Sequence, residues 1–289
     1  MSTTPTLSST PRPVQRPDLT CVIVAYHRPE PLARLLQTLA HPRIKIVVVN
    51  VEADSAVTEL SGAEIIPVPV NRGYAAGVNV GVARASTSVI AFMNDDLEVT
   101  ASDILTLAAR VQSLHADVVV PLVEGQDGKP EFAEKVPYRL AERMQLKGRP
   151  VPDHPIRVDA AWASLVVARA DLLNAVPLPE EYFMYWEELD WFFHLRQRLV
   201  RVEFIPTVRV RHLGGITVVR PDKSRLMARN AVRCVRRTRG RTAALRAWPH
   251  VVAWQARLWL TSLLSRRWRD EAPSHLAGVV AAASAWREI

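Results

Sequence analysis

At 289 residues, with 48% apolar and 23% charged side chains, the chain has the composition of an ordinary globular protein, long enough for one large domain or a domain with an appendage. Its formal charge is +8, its two cysteines (Cys21 and Cys234) lie far apart, and no apolar run reaches the roughly 18–20 residues needed to span a bilayer. This excludes a zinc-ribbon or disulfide framework and a membrane-spanning chain, and favours a reducing, cytoplasmic setting.

Residues 1–17 are rich in Ser, Thr and Pro without an apolar core, which predicts a disordered tail rather than a signal peptide. Leu19–Ala25 reads as a short buried strand broken by Tyr26-His27-Arg28-Pro29. Leu32, Leu35, Leu36 and Leu39 then fall at helical spacing. Strand patterns recur at Ile44–Asn50, Glu64–Val70, Ser88–Met93 and Asp117–Val123, with a helix capped by Ser102 or Asp103 before the last of them. The alternation predicts an α/β protein with a doubly wound, mostly parallel sheet.

Between the third and fourth strands stands Asn71-Arg-Gly-Tyr-Ala-Ala-Gly-Val-Asn-Val-Gly81, with glycines every four residues. This is neither a dinucleotide fingerprint nor a P-loop; glycines one turn apart let a helix pack closely under a sheet. The fourth strand ends in Asn94-Asp95-Asp96, two carboxylates at the carboxyl end of a buried strand, where open α/β sheets bind ligands. Hard oxygen donors there suit Mg²⁺ or Mn²⁺ together with phosphates.

Residues 124–159 are polar and Pro-rich and predict a long loop across the site. Val158–Arg169 resumes a strand pattern, followed by Glu181-Tyr-Phe-Met-Tyr-Trp-Glu-Glu-Leu-Asp-Trp-Phe-Phe-His-Leu-Arg196. Carboxylates packed among aromatic rings lose solvation and bind protons more tightly, so one of Glu187, Glu188 and Asp190 is a candidate general base. Val202–Ile205 and Thr207–Val210 read as strands leading to His212-Leu-Gly-Gly-Ile-Thr217. A basic block from Arg196 to Arg241 is opposed only by Glu203 and Asp222. From about Ser224 the pattern is helical. Trp254, Leu258, Trp259 and Leu263, with Arg257, Arg266 and Arg267 close by, suit a membrane interface or packing against the rest of the chain.

With these motifs in this order, the chain resembles the inverting family 2 glycosyltransferases of the GT-A fold over roughly residues 19–235, especially the bacterial rhamnosyltransferase-like and galactofuranosyltransferase-like members. The resemblance implies a GT-A domain over 18–235 and a basic, Trp-rich helical extension over 236–289. It implies Asp96 as the main ligand of Mg²⁺ or Mn²⁺, Asp95 on metal or ribose, and His212 as a third metal or diphosphate ligand. Glu188 stands where the family places its base, normally Asp. Tyr26, Arg28, Asn71, Gly73, Asn79 and Asn94 would lie along the donor, and Trp162, Trp186, Glu187 and Asp190 toward the acceptor. The acid that reads the nucleobase is left open among Asn50, Glu52 and Asp54, with Asp54 carried forward as donor-binding.

The implied substrates are a nucleotide-sugar donor, deoxythymidine-diphosphate rhamnose before uridine-diphosphate galactofuranose, and a glycan or lipid-linked acceptor of the cell envelope. The implied place of work is the inner face of the cytoplasmic membrane, with the basic block meeting anionic lipid rather than nucleic acid. Two rival readings remain. A sugar-nucleotide nucleotidyltransferase needs a Gly-rich loop after the first strand, which Ala25–Pro29 lacks; a non-catalytic basic adaptor needs the acidic site to be silent.

Overall fold

The computed structural model describes residues 17–131, 150–214, 220–265 and 269–289. The tail over 1–16, the middle of the long loop, the Gly215–Thr217 half of the histidine motif, and Arg266, Arg267 and Trp268 lie outside the described residues.

One sheet is built from β1 (Leu19–Ala25), β2 (Ile44–Val51), β3 (Glu64–Val68), β4 (Val89–Asn94), β5 (Leu97–Glu98), β6 (Val118–Glu124), β7 (Ile156–Arg157), β8 (Leu165–Arg169) and β9 (Val202–His212). Its order is β3-β2-β1-β4-β8-β6-β9-β5, with β7 also pairing to β9. β1, β2, β3 and β4 run parallel, as do β6 and β9, while β8 is antiparallel to both β4 and β6. Helices α1 (Pro29–Leu39) and α4 (Ala101–Gln112) cover one face, where Leu32, Leu35, Ile104 and Leu107 join the core. The other face is covered by α3 (Tyr74–Arg84), α5 (Ala170–Ala175) and α6 (Glu187–Gln197); α2 (Ser55–Thr58) is a single turn after β2. Burial on both faces explains why β1, β2 and β4 are continuous apolar runs rather than alternating ones.

The glycine spacing acts as its period predicts. A Cβ on Gly77 would come within 2.8 Å of Val24, and one on Gly81 would collide with Val22, so α3 lies against β1 closer than any side chain permits. Elsewhere the structure corrects the sequence. Thr100, not Ser102 or Asp103, caps α4, in a capping box where Asp103 answers from the third helical position. The strand expected over Val158–Arg169 is confined to Leu165–Arg169, and the two strands expected before His212 are one, irregular opposite Pro121 and Leu122.

The C-terminal region folds as α7 (Arg220–Arg239), α8 (Arg241–Leu264) and α9 (Ala272–Ser284), ending in a 3-10 turn over Ala285–Glu288. These helices bury Ala231, Val235, Ala247, Val251 and Ala282 together with Tyr182, Trp186 and Leu189. The boundary expected between 235 and 236 therefore falls inside α7, and the helices form a cap seated on the segment that precedes α6. Trp254 and Leu258 line a small cavity with Lys223 and Met227 of α7 and Ser274 of α9, so they pack inward. Leu260, Leu263 and Leu264 are the leucines that α8 exposes around Arg257. Among the described residues no helix is long and apolar enough to cross a membrane.

Candidate active site

β1 and β4 are neighbours in the sheet, yet the chain leaves β1 toward β2 on one flank and β4 toward β6 on the other, with α1 and α4 on the same face. The carboxyl ends of the two strands therefore open a crevice at the point where strand order reverses. Asp95 and Asp96 project there from the end of β4, both buried. The Tyr26 amide donates to Asp95 Oδ2 at 3.3 Å, and Arg28 Nη1 donates to Asp96 Oδ2 at 2.8 Å. The short β5 returns the chain antiparallel to β9 with Leu97 opposite His212, which carries His212 Nε2 to 3.2 Å from Asp96 Oδ1. Glu131 completes the group, its Oε2 2.7 Å from His212 Nδ1.

Electrostatics set the protonation of this group. Burial, then the charge of Asp96, pushes the Asp95 carboxyl up to about 7. Burial would also raise Asp96, but the hydrogen bonds and charges of His212 and Arg28 outweigh it and hold the acid below its usual range. For His212 burial opposes the proton, and Asp96 and Glu131 overcome that, lifting it to about 9. Two adjacent buried carboxylates are thus neutralised by two cations from other elements. Asp96 Oδ1 is buried without an aligned hydrogen bond, an oxygen a hard cation can use. Among the described residues no group of three His, Cys, Asp or Glu side chains is arranged to hold a metal ion, so a cation held here would rest on one or two carboxylates and take its further ligands from phosphate and water.

The second acidic pair opens α6. Glu187 and Glu188 are both buried, and burial raises both acids: Glu188 to about 7, with backbone hydrogen bonds at the helix start opposing the shift, and Glu187 well above its usual range with added repulsion from Glu188. Glu187 Oε2 makes no hydrogen bond among the described residues. Tyr74, the first residue of α3, joins the two pairs. Burial and the charges of Glu187, Glu188, Asp96 and Asp95 all push its phenol up, which places it within reach of both acidic clusters. Its amide donates to the Phe183 carbonyl at 3.1 Å and its hydroxyl points to Ala163 O at 3.5 Å, next to the half-buried Trp162.

Gly73 makes this junction feasible, since its φ is +97° and a Cβ there would collide with the Phe183 carbonyl. Gly73→Ala is expected to cost about 2–4 kcal/mol. A lowered melting temperature in thermal denaturation checks it, with Gly62→Ala (φ +90°, no atom within 4 Å) as the control for backbone strain alone.

Around the crevice rim the remaining candidates sort themselves. Asn71 Oδ1 accepts from the Gly73 amide at 3.0 Å, and the Tyr26 phenol interacts with Glu52 and Asn71. Asn94 is half-buried at the end of β4. Asn50 is fully buried and spends its amide on the Asp54 backbone and Thr58, so it drops out as a reader of the base. Asp54 caps α2 through the Ala56 amide and meets His27 Nδ1 at 2.9 Å, while Glu52 meets His27 Nε2 at 3.0 Å.

Three candidates do not face the crevice. Asn79 is tied to the Leu178 backbone in both directions and to Glu180, a clasp between α3 and the loop before α6. Asp190 is completely buried, with Oδ2 taken by Tyr182 Oη (2.7 Å) and Arg237 Nε (2.6 Å), so it cannot touch an acceptor. Trp186 is 2% exposed and sits in the cap core. Tyr74, Glu131 and His27 were not singled out from the sequence. Tyr74 follows Gly73 in a motif quoted for its glycines, and Glu131 lies in a stretch with no periodicity to place it.

The sequence profile of glycosyl transferase family 2 matches residues 20–165. The low-salt glycan biosynthesis hexosyltransferase Agl10 of Haloferax volcanii is 25% identical over 217 residues, covering 72% of this chain and 71% of that protein. The pre-mycofactocin glycosyltransferase of Mycobacterium tuberculosis is 26% identical over 214 residues, 70% of this chain but only 44% of that protein. Among solved structures, the mannosyltransferase PcManGT from Pyrobaculum calidifontis, in complex with GDP-Man and Mn²⁺, superposes with a TM-score of 0.60 at 14% identity over 96% of this chain and 89% of its own. Glucosyl-3-phosphoglycerate synthase from Mycobacterium tuberculosis, with Mn²⁺ and UDP, gives 0.59 at 14% identity over 77% and 80%. At such identities the structures speak for the fold, which is GT-A-like with a helical C-terminal region. The profile covers half of the chain and takes in the crevice with its paired aspartates, so the chain belongs to the family 2 glycosyltransferases.

Proposed function

We propose that the protein is a metal-dependent, inverting glycosyltransferase that moves a sugar from a nucleotide diphosphate to a lipid-linked or polysaccharide acceptor in cell-envelope glycan synthesis. The observation that carries the reading is Tyr74, whose buried phenol is raised by Asp95 and Asp96 as well as by Glu187 and Glu188, so that it lies in the field of both acidic pairs. Two acidic pairs on one cleft serve two tasks. The aspartates, with His212, would hold Mg²⁺ or Mn²⁺, which when bound supplies positive charge against the diphosphate. Arg28 adds a cation at the same place, and Tyr26 and Asn71 line the donor side. Glu188 accepts the proton of the acceptor hydroxyl, whose oxygen forms the new bond to the anomeric carbon. The nucleoside diphosphate departs from the opposite face with the old bond's electron pair, and the configuration inverts. Glu187 and Trp162 stand on the acceptor side.

Rhamnose as the sugar, with galactofuranose next, rests on the motif resemblance. Thermal shift against dTDP-rhamnose, UDP-galactofuranose, UDP-glucose, UDP-N-acetylglucosamine and GDP-mannose, with Mn²⁺, tests it. The expected result is a shift of several degrees for one donor that disappears with EDTA. No shift with any nucleotide, or one unaffected by EDTA, overturns the metal-dependent reading.

A lipid-linked acceptor is supported by an open groove of about 660 Å³ between the donor side and the cap, where Tyr26, Phe183, Leu226 and Val280 face Arg225 and Arg229, which pair with Asp222 in the same lining and with Glu288. Apolar wall and basic rim suit an amphipathic phospholipid-like substrate, and Leu260, Leu263 and Leu264 around Arg257 suit the anionic surface that carries it. Replacing these three leucines by serine is expected to weaken sedimentation with phosphatidylglycerol vesicles about tenfold or more, while the melting temperature holds. Undiminished binding removes the membrane assignment. Substitution is the right test because deleting α8 and α9 would expose the buried face of α7.

A further inference from the structure

The turn that presents the acidic pair of α6 is held by a residue of the cap. α6 has no side-chain cap; its N-cap residue, Trp186, is left-handed at φ 78°, and Tyr185 before it is left-handed at φ 69°. Two consecutive bulky residues with positive φ are unfavourable and persist only where the surroundings impose them. The surroundings here are α7. Asn230, 1% exposed, donates both protons of its side-chain amide, to Met184 O at 2.9 Å and to Tyr185 O at 3.1 Å. Seven residues on, along the same helix face, Arg237 donates to Asp190 Oδ2 at 2.6 Å and to Glu181 Oε1 at 2.6 Å. Arg233, between them, donates to Glu181 O and is anchored by Glu288 Oε2 at 2.8 Å. The stripe Asn230, Arg233, Arg237 thus grips the segment from Glu181 to Asp190 at both ends.

We propose that Asn230 is a positioning residue of the transfer reaction: by fixing the carbonyls of Met184 and Tyr185 it imposes the left-handed turn that aims Glu188 into the cleft, which makes α7 part of the catalytic apparatus. This rests on the reading of Glu188 as the base. Asn is suited to the task because its planar amide carries two donors at a fixed angle and no charge, whereas Asp at this position would set two oxygens against two carbonyls. Tight aim matters because a misplacement of about 1 Å in a reacting group can cost about 100-fold in rate.

The test uses the full chain with ¹³Cδ-labelled glutamate. Glu188→Gln assigns the Glu188 signal. Asn230→Ala and Asn230→Asp are then expected to move its titration midpoint by about one unit or more and to speed amide exchange over residues 186–190 by about 100-fold. They should also cut nucleoside diphosphate release from the responding donor by about 100-fold with KM within about threefold. Gly81→Ala, which strains the α3–β1 contact instead, should lower the melting temperature and leave midpoint and exchange alone. If Asn230→Ala does not fold, Asn230→Ser, which keeps one shorter donor, replaces it and should show an intermediate shift. Wild-type midpoint and exchange in a folded Asn230 variant overturn the proposal. Full activity in Glu188→Gln would instead overturn the base assignment, while a shifted turn in Asn230→Ala would still stand.

Discussion

Glu188→Gln is expected to lower sugar transfer by about 10²–10⁴-fold while nucleoside diphosphate binding stays within about twofold of wild type. The amide keeps the shape of the side chain and removes the one function that matters, acceptance of a proton. Buried beside Glu187, Glu188 is raised well toward neutrality by the loss of solvation, which suits a group that must take a proton and later release it. The rate should therefore rise with pH through an apparent value near 7, and this limb should vanish in the variant.

Stability should move the other way. In the folded state Glu188 holds its proton to about 7, while its ordinary value is 4.5. Between these values the folded chain binds more protons than the unfolded one, so stability falls as pH rises through that window. Glutamine does not ionise, so Glu188→Gln should melt higher than wild type at pH 8, with the difference shrinking toward pH 4. A carboxylate that weakens the fold when charged is one that selection for packing alone would not retain. Wild-type turnover in Glu188→Gln would leave Glu187 as the remaining acid of the pair and remove the assignment.

Much of this was legible before the structure. The apolar runs that become β1, β2, β4 and β6 are unbroken because both sheet faces are covered, and glycines at 73, 77 and 81 announced a helix in close contact. The carboxyl-end rule located Asp95 and Asp96 without reference to any other element. What could not be read depends on distant registers. The resemblance grouped His212 with Asp96, but the register that joins them, Leu97 antiparallel to His212, lies in a two-residue strand too short to carry a period. Asp190 looked like its neighbours Glu187 and Glu188, but the helical turn rotates it into the interior, where Arg237 and Tyr182 both occupy its Oδ2. Trp186, expected toward the acceptor, is instead a ring buried in the cap core. The cap drew attention through its tryptophans, while its chemistry lies in Asn230, whose two partners are backbone carbonyls and leave no trace in side-chain pattern.

The other large effect concerns Asp96. Asp96→Ala is expected to weaken Mn²⁺-dependent binding of a nucleoside diphosphate by about 100-fold or more, measured by calorimetry with UDP or dTDP at fixed Mn²⁺. The reason is that Asp96 is the point on which Arg28 and His212 both converge, at 2.8 Å and 3.2 Å. Removing it leaves Arg28 without its carboxylate partner and His212 with Glu131 alone, 2.7 Å from its Nδ1, beside the raised Asp95. Binding of the diphosphate alone, without metal, should survive or tighten, because Arg28 loses its internal partner and His212 one of its two; that opposite sign separates loss of a metal ligand from collapse of the pocket. His212 supplies a second reading of the same experiment. With its proton held to about 9 it is charged at neutral pH, and a metal ligand must give that proton up. If His212 binds the cation, calorimetry in buffers of different ionisation heat should record about one proton released per metal bound and affinity rising with pH. If it meets the diphosphate instead, metal binding should release none and the nucleotide should bind more tightly below pH 9. Equal Mn²⁺-dependent affinity in wild type and Asp96→Ala would leave the crevice without its proposed cation.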